Sequence, residues 1–213
     1  MIKVGIVDYD CGNLFSVSQA LEYIGVDPYF CKTPEETSRA DRLLLPGVGA
    51  YGNAISTIRE RGLAEAICEV ASAGRPVLGI CLGMQLLVDN SQESVGEKGL
   101  SLIPGEIIKL SIDTLENNSR FKIPNVGWSG LNRPDGVDWS NTILKTNSVK
   151  DFTYFVHSYH LNGDNKDFIL ATQQFGDLES PSVIARDNIS GCQFHPERSG
   201  EAGLNILKSW VET

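Results

Sequence analysis

Short apolar runs alternate with stretches of helical period through the first ninety residues. Lys3 to Asp8, Val26 to Cys31 and Arg42 to Leu45 each read as a strand, the last of them buried. Between the first two, Leu14, Val17, Leu21 and Ile24 recur at helical spacing, with Asn13 as the N-cap and Gly25 as the stop. Pro34-Glu35-Glu36 opens a short polar helix, and a longer helical region runs from about Tyr51 to Ser72, interrupted at Gly62. Pro76 to Ile80 is another apolar strand. After it, Met84, Leu86 and Leu87, interleaved with Gln85, Asp89 and Asn90, read as the opening of an amphipathic helix. Such alternation of strand and helix predicts a parallel sheet with helices on both faces.

From Gly99 the texture changes. Strand candidates lie at Glu106 to Leu110, Thr142 to Lys145, Thr153 to Val156, Phe168 to Thr172, Ser182 to Ala185 and Ser190 to Phe194, separated by polar turns. Asp113 to Ser119 and Asn132 to Ser140 read as loops, and Gly200 to Trp210 as a closing helix. The pattern therefore predicts an α/β fold: a doubly wound, mostly parallel sheet followed by a smaller, mostly antiparallel segment. No repeat, low-complexity tract or linker divides residues 1–213, which reads as one domain.

Composition narrows the function classes. A net charge of −9 argues against nucleic acid or an anionic membrane surface as partner. No stretch approaches the ~18 apolar residues of a membrane span, and the first residues enter a strand without signal-peptide features. Cys11, Cys31, Cys68, Cys81 and Cys192 are odd in number, scattered and never spaced Cys-x-x-Cys. Neither a disulfide framework nor a zinc site is expected, and a reducing cytoplasm fits best. His157, His160 and His195 sit in no cluster with metal-ligand spacing.

Three stretches carry candidate chemistry. Gly79-Ile80-Cys81-Leu82-Gly83 lies where a strand turns into a helix, the thiol version of a nucleophile elbow. Its glycines permit a tight turn, and the helix N-terminus favours thiolate. The plainer alternative is a buried structural cysteine. In Gln193-Phe194-His195-Pro196-Glu197, His195 and Glu197 can project to one side of an extended chain. A nucleophilic thiol gains from an imidazole that takes its proton, and the imidazole from a carboxylate that fixes its tautomer. An ordinary surface pair would look the same in sequence. Pro46-Gly47-Val48-Gly49 follows the third strand, where functional loops gather in open sheets. A backbone N–H there, with that of Leu82, can form an oxyanion hole. A plain glycine-rich turn is the alternative. Gly47, Gly49 and Gly52 do match Gly-x-Gly-x-x-Gly, but no acidic residue follows at the distance a dinucleotide site requires.

Taken together and in this order, these stretches resemble the class I (triad) glutamine amidotransferases along the whole chain. A finer resemblance is to the glutaminase subunits of imidazole glycerol phosphate synthase. Its carriers are Asp8-Tyr9 with Gly12-Asn13-Leu14, Leu45 to Ala50, Gly79 to Leu87 and Gly99 to Gly105. Pro124 with Gly127-Trp128, Tyr154 to Tyr159, and Gln193 to Glu197 complete them. The resemblance implies a Cys81–His195–Glu197 triad acting on L-glutamine and an oxyanion hole from Gly47, Val48, Gly49 and Leu82. By the same resemblance Gly49, Gln85, Ser158 and Tyr159 hold the substrate. It implies no cofactor, and a (β/α)₈-barrel cyclase as heterodimer partner that receives the ammonia and acts on the 46–49 loop. His157, His160 and the other four cysteines fall outside that machinery, as core or interface residues.

Two positions depart from the family pattern. Asp10 stands where a small residue, often Gly, is usual, and Asn125 where His is common. They leave open a paralogue that feeds an amino- or acetamidino-sugar synthase for surface polysaccharide. A free-standing γ-glutamyl hydrolase and a non-catalytic module on the same fold are also compatible with these residues.

Overall fold

The apolar runs of the first half become the strands β1 (Val4–Val7), β2 (Pro28–Cys31), β3 (Arg42–Leu45) and β4 (Val77–Ile80). Our computed structural model describes residues 2–10, 13–111, 122–163 and 166–213. Between these strands lie α1 (Leu14–Tyr23), α2 (Pro34–Ser38), α3 (Tyr51–Glu60) and α4 (Leu63–Ser72). α2 starts at a capping box in which Thr33 accepts from the Glu36 backbone N–H while the Glu36 carboxylate reaches back. Gly62, at φ +67°, takes the left-handed turn that separates α3 from α4.

The chain continues through α5 (Leu82–Leu86), β5 (Asn90–Ser91), β6 (Glu106–Lys109), β7 (Asn125–Gly130) and β8 (Phe152–His157). Then come β9 (Tyr159–Leu161), β10 (Ile169–Phe175), β11 (Leu178–Arg186), β12 (Ile189–Cys192), a 3₁₀ turn at Pro196–Arg198 and α6 (Gly200–Glu212). Seven strands form the main sheet in the order β10-β11-β12-β4-β3-β1-β2. From β12 to β2 all neighbours are parallel, while β10, β11 and β12 pair antiparallel. β5-β6-β9 and β7-β8 are small separate sheets.

Alternate residues of one strand feed opposite cores, as the two-residue period of a sheet demands. Leu43 and Leu45 of β3 pack with Ile55, Ile58, Ile67 and Val70 of α3 and α4. Leu44 packs on the other face with Val17 and Leu21 of α1 and with Ile206, Leu207 and Trp210 of α6. Each such aliphatic side chain, fully buried, contributes about 1.5–3 kcal/mol.

Several expectations are corrected. β12 belongs to the parallel half, because its register against β4 pairs Gly191 with Gly79 and Cys192 with Ile80. Thr142 to Lys145 is a run of turns: Ile143 and Leu144 are buried, but the backbone closes i→i+3 bonds such as Lys145 N–H to Thr142 O (3.1 Å). The helix after Cys81 is only five residues long, and Asp89 and Asn90 lie outside it. Backbone N–H groups of Leu100, Ser101 and Leu102 capture the carbonyls of Leu86, Val88 and Leu87, which ends the helix. Gly99 permits this approach, since a Cβ there would stand 2.0 Å from Val88 O. β5, β7 and β9 are strands the pattern did not announce. Asn13 precedes α1, yet its side chain makes no cap bond. The Asp113 to Ser119 loop, Cys11 and Gly12 lie outside the described residues.

Candidate active site

The register of β12 on β4 creates the site. Both strands end side by side, and the Cys81 N–H donates to Cys192 O at 2.7 Å. Chain leaving β4 therefore meets chain leaving β12 at the carboxyl edge of the sheet, where open α/β folds bind ligands. Cys81 adopts φ +51°, ψ −108°, a conformation that strains a side-chain-bearing residue and marks an elbow. The elbow fits because neighbours lack side chains. A Cβ on Gly83 would stand 2.0 Å from Leu45 O, and one on Gly47 2.3 Å from Gly83 N.

Beyond β12 the chain turns at Pro196, and His195 Nδ1–H donates to Glu197 Oε1 at 2.7 Å. Both side chains are excluded from solvent. Glu197 Oε1 also accepts from Asn13 Nδ2 at 2.9 Å. Asn13 thus serves the carboxylate instead of the helix, and joins β1's exit loop to the pair. With Nδ1 so engaged, Nε2 is the ring atom free for proton transfer, and among the described residues it has no hydrogen-bond partner. Burial alone lowers the imidazole pKa, but the Cys81 sulfur and the Glu197 carboxylate outweigh it and lift His195 to about 10. The Glu197 contact is a direct bond, whereas in its thiol form Cys81 donates to Val156 O (3.8 Å) and not to Nε2. The part of the elevation that geometry secures is therefore that from Glu197.

In front of the sulfur lies a cavity of about 310 Å³. Val48, Gly49, Cys81, Leu82, Gln85, Ser158, Tyr159 and His195 line it, so most residues singled out by sequence meet there. Gly47 and Glu197 do not. Gly47 packs under the elbow and Glu197 stands behind His195. Gln85, almost fully buried, spends its amide N–H groups on Tyr159 O (3.0 Å) and Gln193 Oε1 (3.1 Å). A larger hollow of about 410 Å³ beside Arg133, Lys166 and Glu179 has neither cysteine nor histidine in its lining. Chemistry favours the smaller one.

A profile of the family described as glutamine amidotransferase class-I matches residues 6–212. The chain belongs to the class-I glutamine amidotransferases. It is 42% identical over 208 residues to imidazole glycerol phosphate synthase subunit HisH of a Geobacillus species, spanning 98% of this chain and 95% of that one. It is 44% identical over 209 residues to the protein of the same name from Caldanaerobacter subterraneus, covering 98% and 97%. Among solved structures, PurLQS from Thermotoga maritima superposes with a TM-score of 0.73 at 20% identity, covering 99% and 98% of the two chains. The glutaminase domain of Trypanosoma brucei CTPS with bound acivicin does so with 0.62 at 16%, covering 100% and 95%. At those identities the superpositions speak for the fold alone.

For a class-I glutamine amidotransferase, two departures in the sequence find local compensation. Asp10 sits at φ +66°, the backbone region that explains why Gly is usual there, and its carboxylate pairs with Arg61. Asn125 Nδ2 donates to His157 Nε2 at 3.0 Å, beside Gln173 Nε2 at 3.2 Å. His157 Nδ1–H in turn donates to Tyr159 O (2.9 Å), the carbonyl that also holds Gln85. His157 is thus a buried strut of the cavity wall.

Glu93 escaped the sequence reading altogether. It lines the cavity twelve residues beyond Cys81, in a polar loop with no periodic or motif signal. Burial raises its carboxyl pKa against the lowering effect of the Tyr51 backbone. Gln193 left a fainter trace, a polar residue inside the apolar run Cys192 to Phe194, and it is fully buried.

His157 and His160 give the fold an acid limit. Burial holds each near pKa 4, so both are neutral when folded at neutral pH. The unfolded chain takes up protons below about 6.5, and the stability these residues confer is lost as pH falls from there towards 4. Each tenfold difference in proton affinity between folded and unfolded chain is worth ~1.4 kcal/mol, so the loss amounts to several kcal/mol. The urea midpoint is expected to fall steeply across that window, and less steeply in His160→Gln.

Proposed function

We propose that this chain is the glutaminase subunit of an imidazole glycerol phosphate synthase. It hydrolyses L-glutamine and passes the ammonia to a (β/α)₈-barrel cyclase subunit in histidine biosynthesis. The observation that carries this reading is 44% identity along 98% of the chain to a subunit so named. The pairing of His195 with Glu197 beside Cys81 gives it chemical support.

In this mechanism the proton shared by Cys81 and His195 resides on Nε2, as the raised imidazole pKa favours, and the thiolate Sγ attacks the side-chain carbonyl carbon of glutamine. N–H groups of Leu82 and of the Gly47-Val48-Gly49 loop receive the developing oxyanion. The C–N bond breaks as His195 returns the proton to the leaving nitrogen. Water, deprotonated by His195, then cleaves the thioester to glutamate and the free thiol. Glu197 keeps His195 oriented, and Asn13 keeps Glu197 oriented. Gly49, Gln85, Ser158 and Tyr159 hold the substrate, and Glu93 accepts its α-ammonium group. Residues 1–213 act as one domain, and the free Cys31, Cys68, Cys81 and Cys192 suit a reducing cytoplasm. Among the described residues, no helix is long and apolar enough to cross a membrane. The relatives at 42% and 44% identity, both named as the imidazole glycerol phosphate synthase subunit, favour this reading over a sugar-synthase paralogue.

Glutamate release from glutamine, measured with and without the cyclase subunit and its nucleotide ligand, tests the proposal. Strong stimulation by that partner is expected. Absence of stimulation, with Cys81 still labelled by a glutamine analogue, would assign the subunit to another synthase. Glu93→Gln keeps an acceptor but loses the charge. It is expected to raise KM for glutamine about tenfold or more while kcat changes less than about threefold. An unchanged KM would remove Glu93 from the substrate site.

A further inference from the structure

We propose that Gln193 is a hydrogen-bond donor to the nucleophilic sulfur and couples it to Gln85. The orientation of the amides follows from their partners. Tyr159 O can only accept, so Gln85 turns its NH₂ group toward it (3.0 Å). The second hydrogen of that group points at Gln193, which must present Oε1 in return (3.1 Å). The other end of the Gln193 carboxamide, its NH₂, then faces Cys81 Sγ at 3.8 Å. This polarity comes from the network and not from an arbitrary choice between N and O. Gln193 is fully buried, with its backbone N–H held by Ser182 O (2.9 Å), so no solvent competes for the amide.

A buried carboxamide costs free energy unless its groups are bonded, and here each end has a partner. The bond to sulfur discriminates between the two forms of the nucleophile. As a thiol, Cys81 donates its proton to Val156 O and accepts only weakly from Gln193. Once the proton has gone to His195, no donor remains on sulfur and the Gln193 N–H bond becomes charge-assisted. No covalent bond changes at Gln193. Its neighbour Gln85 lines the cavity, so whatever fixes Gln85 also fixes the amide that solvates the thiolate. The link to substrate rests on the glutaminase reading. The sulfur contact does not.

The test is the rate at which iodoacetamide alkylates Cys81 in the full chain at pH 7, read by mass spectrometry of the Cys81 peptide. Gln193→Met, near-isosteric and without a donor, is expected to slow it about tenfold. Gln193→Glu, which replaces the donor by an acceptor, is expected to slow it further. Wild-type rates in a Gln193→Met protein with a native circular dichroism spectrum would overturn the proposal. Should neither variant fold, the wild-type protein still decides. A Gln193 side-chain amide resonance that shifts on alkylation of Cys81 supports the contact, and one that does not refutes it. If wild-type protein with cyclase releases no glutamate while Gln193→Met still slows alkylation, the glutaminase reading fails and this one stands.

Discussion

Changing Cys81 to serine is expected to lower cyclase-stimulated glutamate release by more than about 10⁴-fold, with the fold unchanged. Serine is nearly isosteric and faces the same backbone strain at φ +51°, so the elbow built on Gly79 and Gly83 persists. What changes is the nucleophile. An alkoxide is far harder to reach at neutral pH than a thiolate, and neither His195 nor the Gln193 amide can close that gap. Activity comparable to wild type, measured as glutamate per subunit with cyclase present, would sink the covalent mechanism. A native circular dichroism spectrum for the inactive variant separates lost chemistry from lost structure.

Glu197→Gln comes next in size, at about 10³–10⁴-fold in kcat. The amide oxygen can still accept from both His195 Nδ1–H and Asn13 Nδ2, so the ring keeps its orientation but loses the facing charge. Burial then dominates and draws the imidazole pKa down from about 10. Its sign sets a second readout. A histidine raised above about 6.5 contributes stability that is full below that pH and is lost as pH rises through the folded value. Wild-type protein is therefore expected to lose stability approaching pH 10, whereas Glu197→Gln has already lost that contribution at neutral pH. Urea midpoints at pH 7 and pH 10, alongside kcat, check both. A variant with full kcat would mean that Glu197 is structural.

Much of the first half was legible in local pattern, for definite reasons. β3 spans the residues its apolar run defined, since Arg42 to Leu45 is flanked by a polar stretch and by Pro46. The break at Gly62 was legible because the left-handed turn there favours glycine. The second half was harder. β7 carries two glycines and exposes Val126 and Trp128, so its pleat shows no buried face in sequence. At Ile143 and Leu144 the apolar pair was real, yet the Trp139 carbonyl draws the Thr142 N–H into a turn, and among the described residues no strand pairs with this stretch.

The sequence by itself determined the alternating α/β architecture, the elbow at Cys81 and the candidate partners His195 and Glu197. These depend on contacts within a few residues, where glycine, proline and apolar period act directly on the backbone. Only the tertiary structure decided which groups meet across long intervals. Asn13 reaches Glu197, Gln193 reaches Cys81, and Glu93 enters the cavity. Those encounters follow from strand order, which puts the carboxyl ends of β1, β3, β4 and β12 on one edge. Strand order is fixed by how whole faces bury against α1, α3, α4 and α6, a sum over distant residues that no local pattern contains.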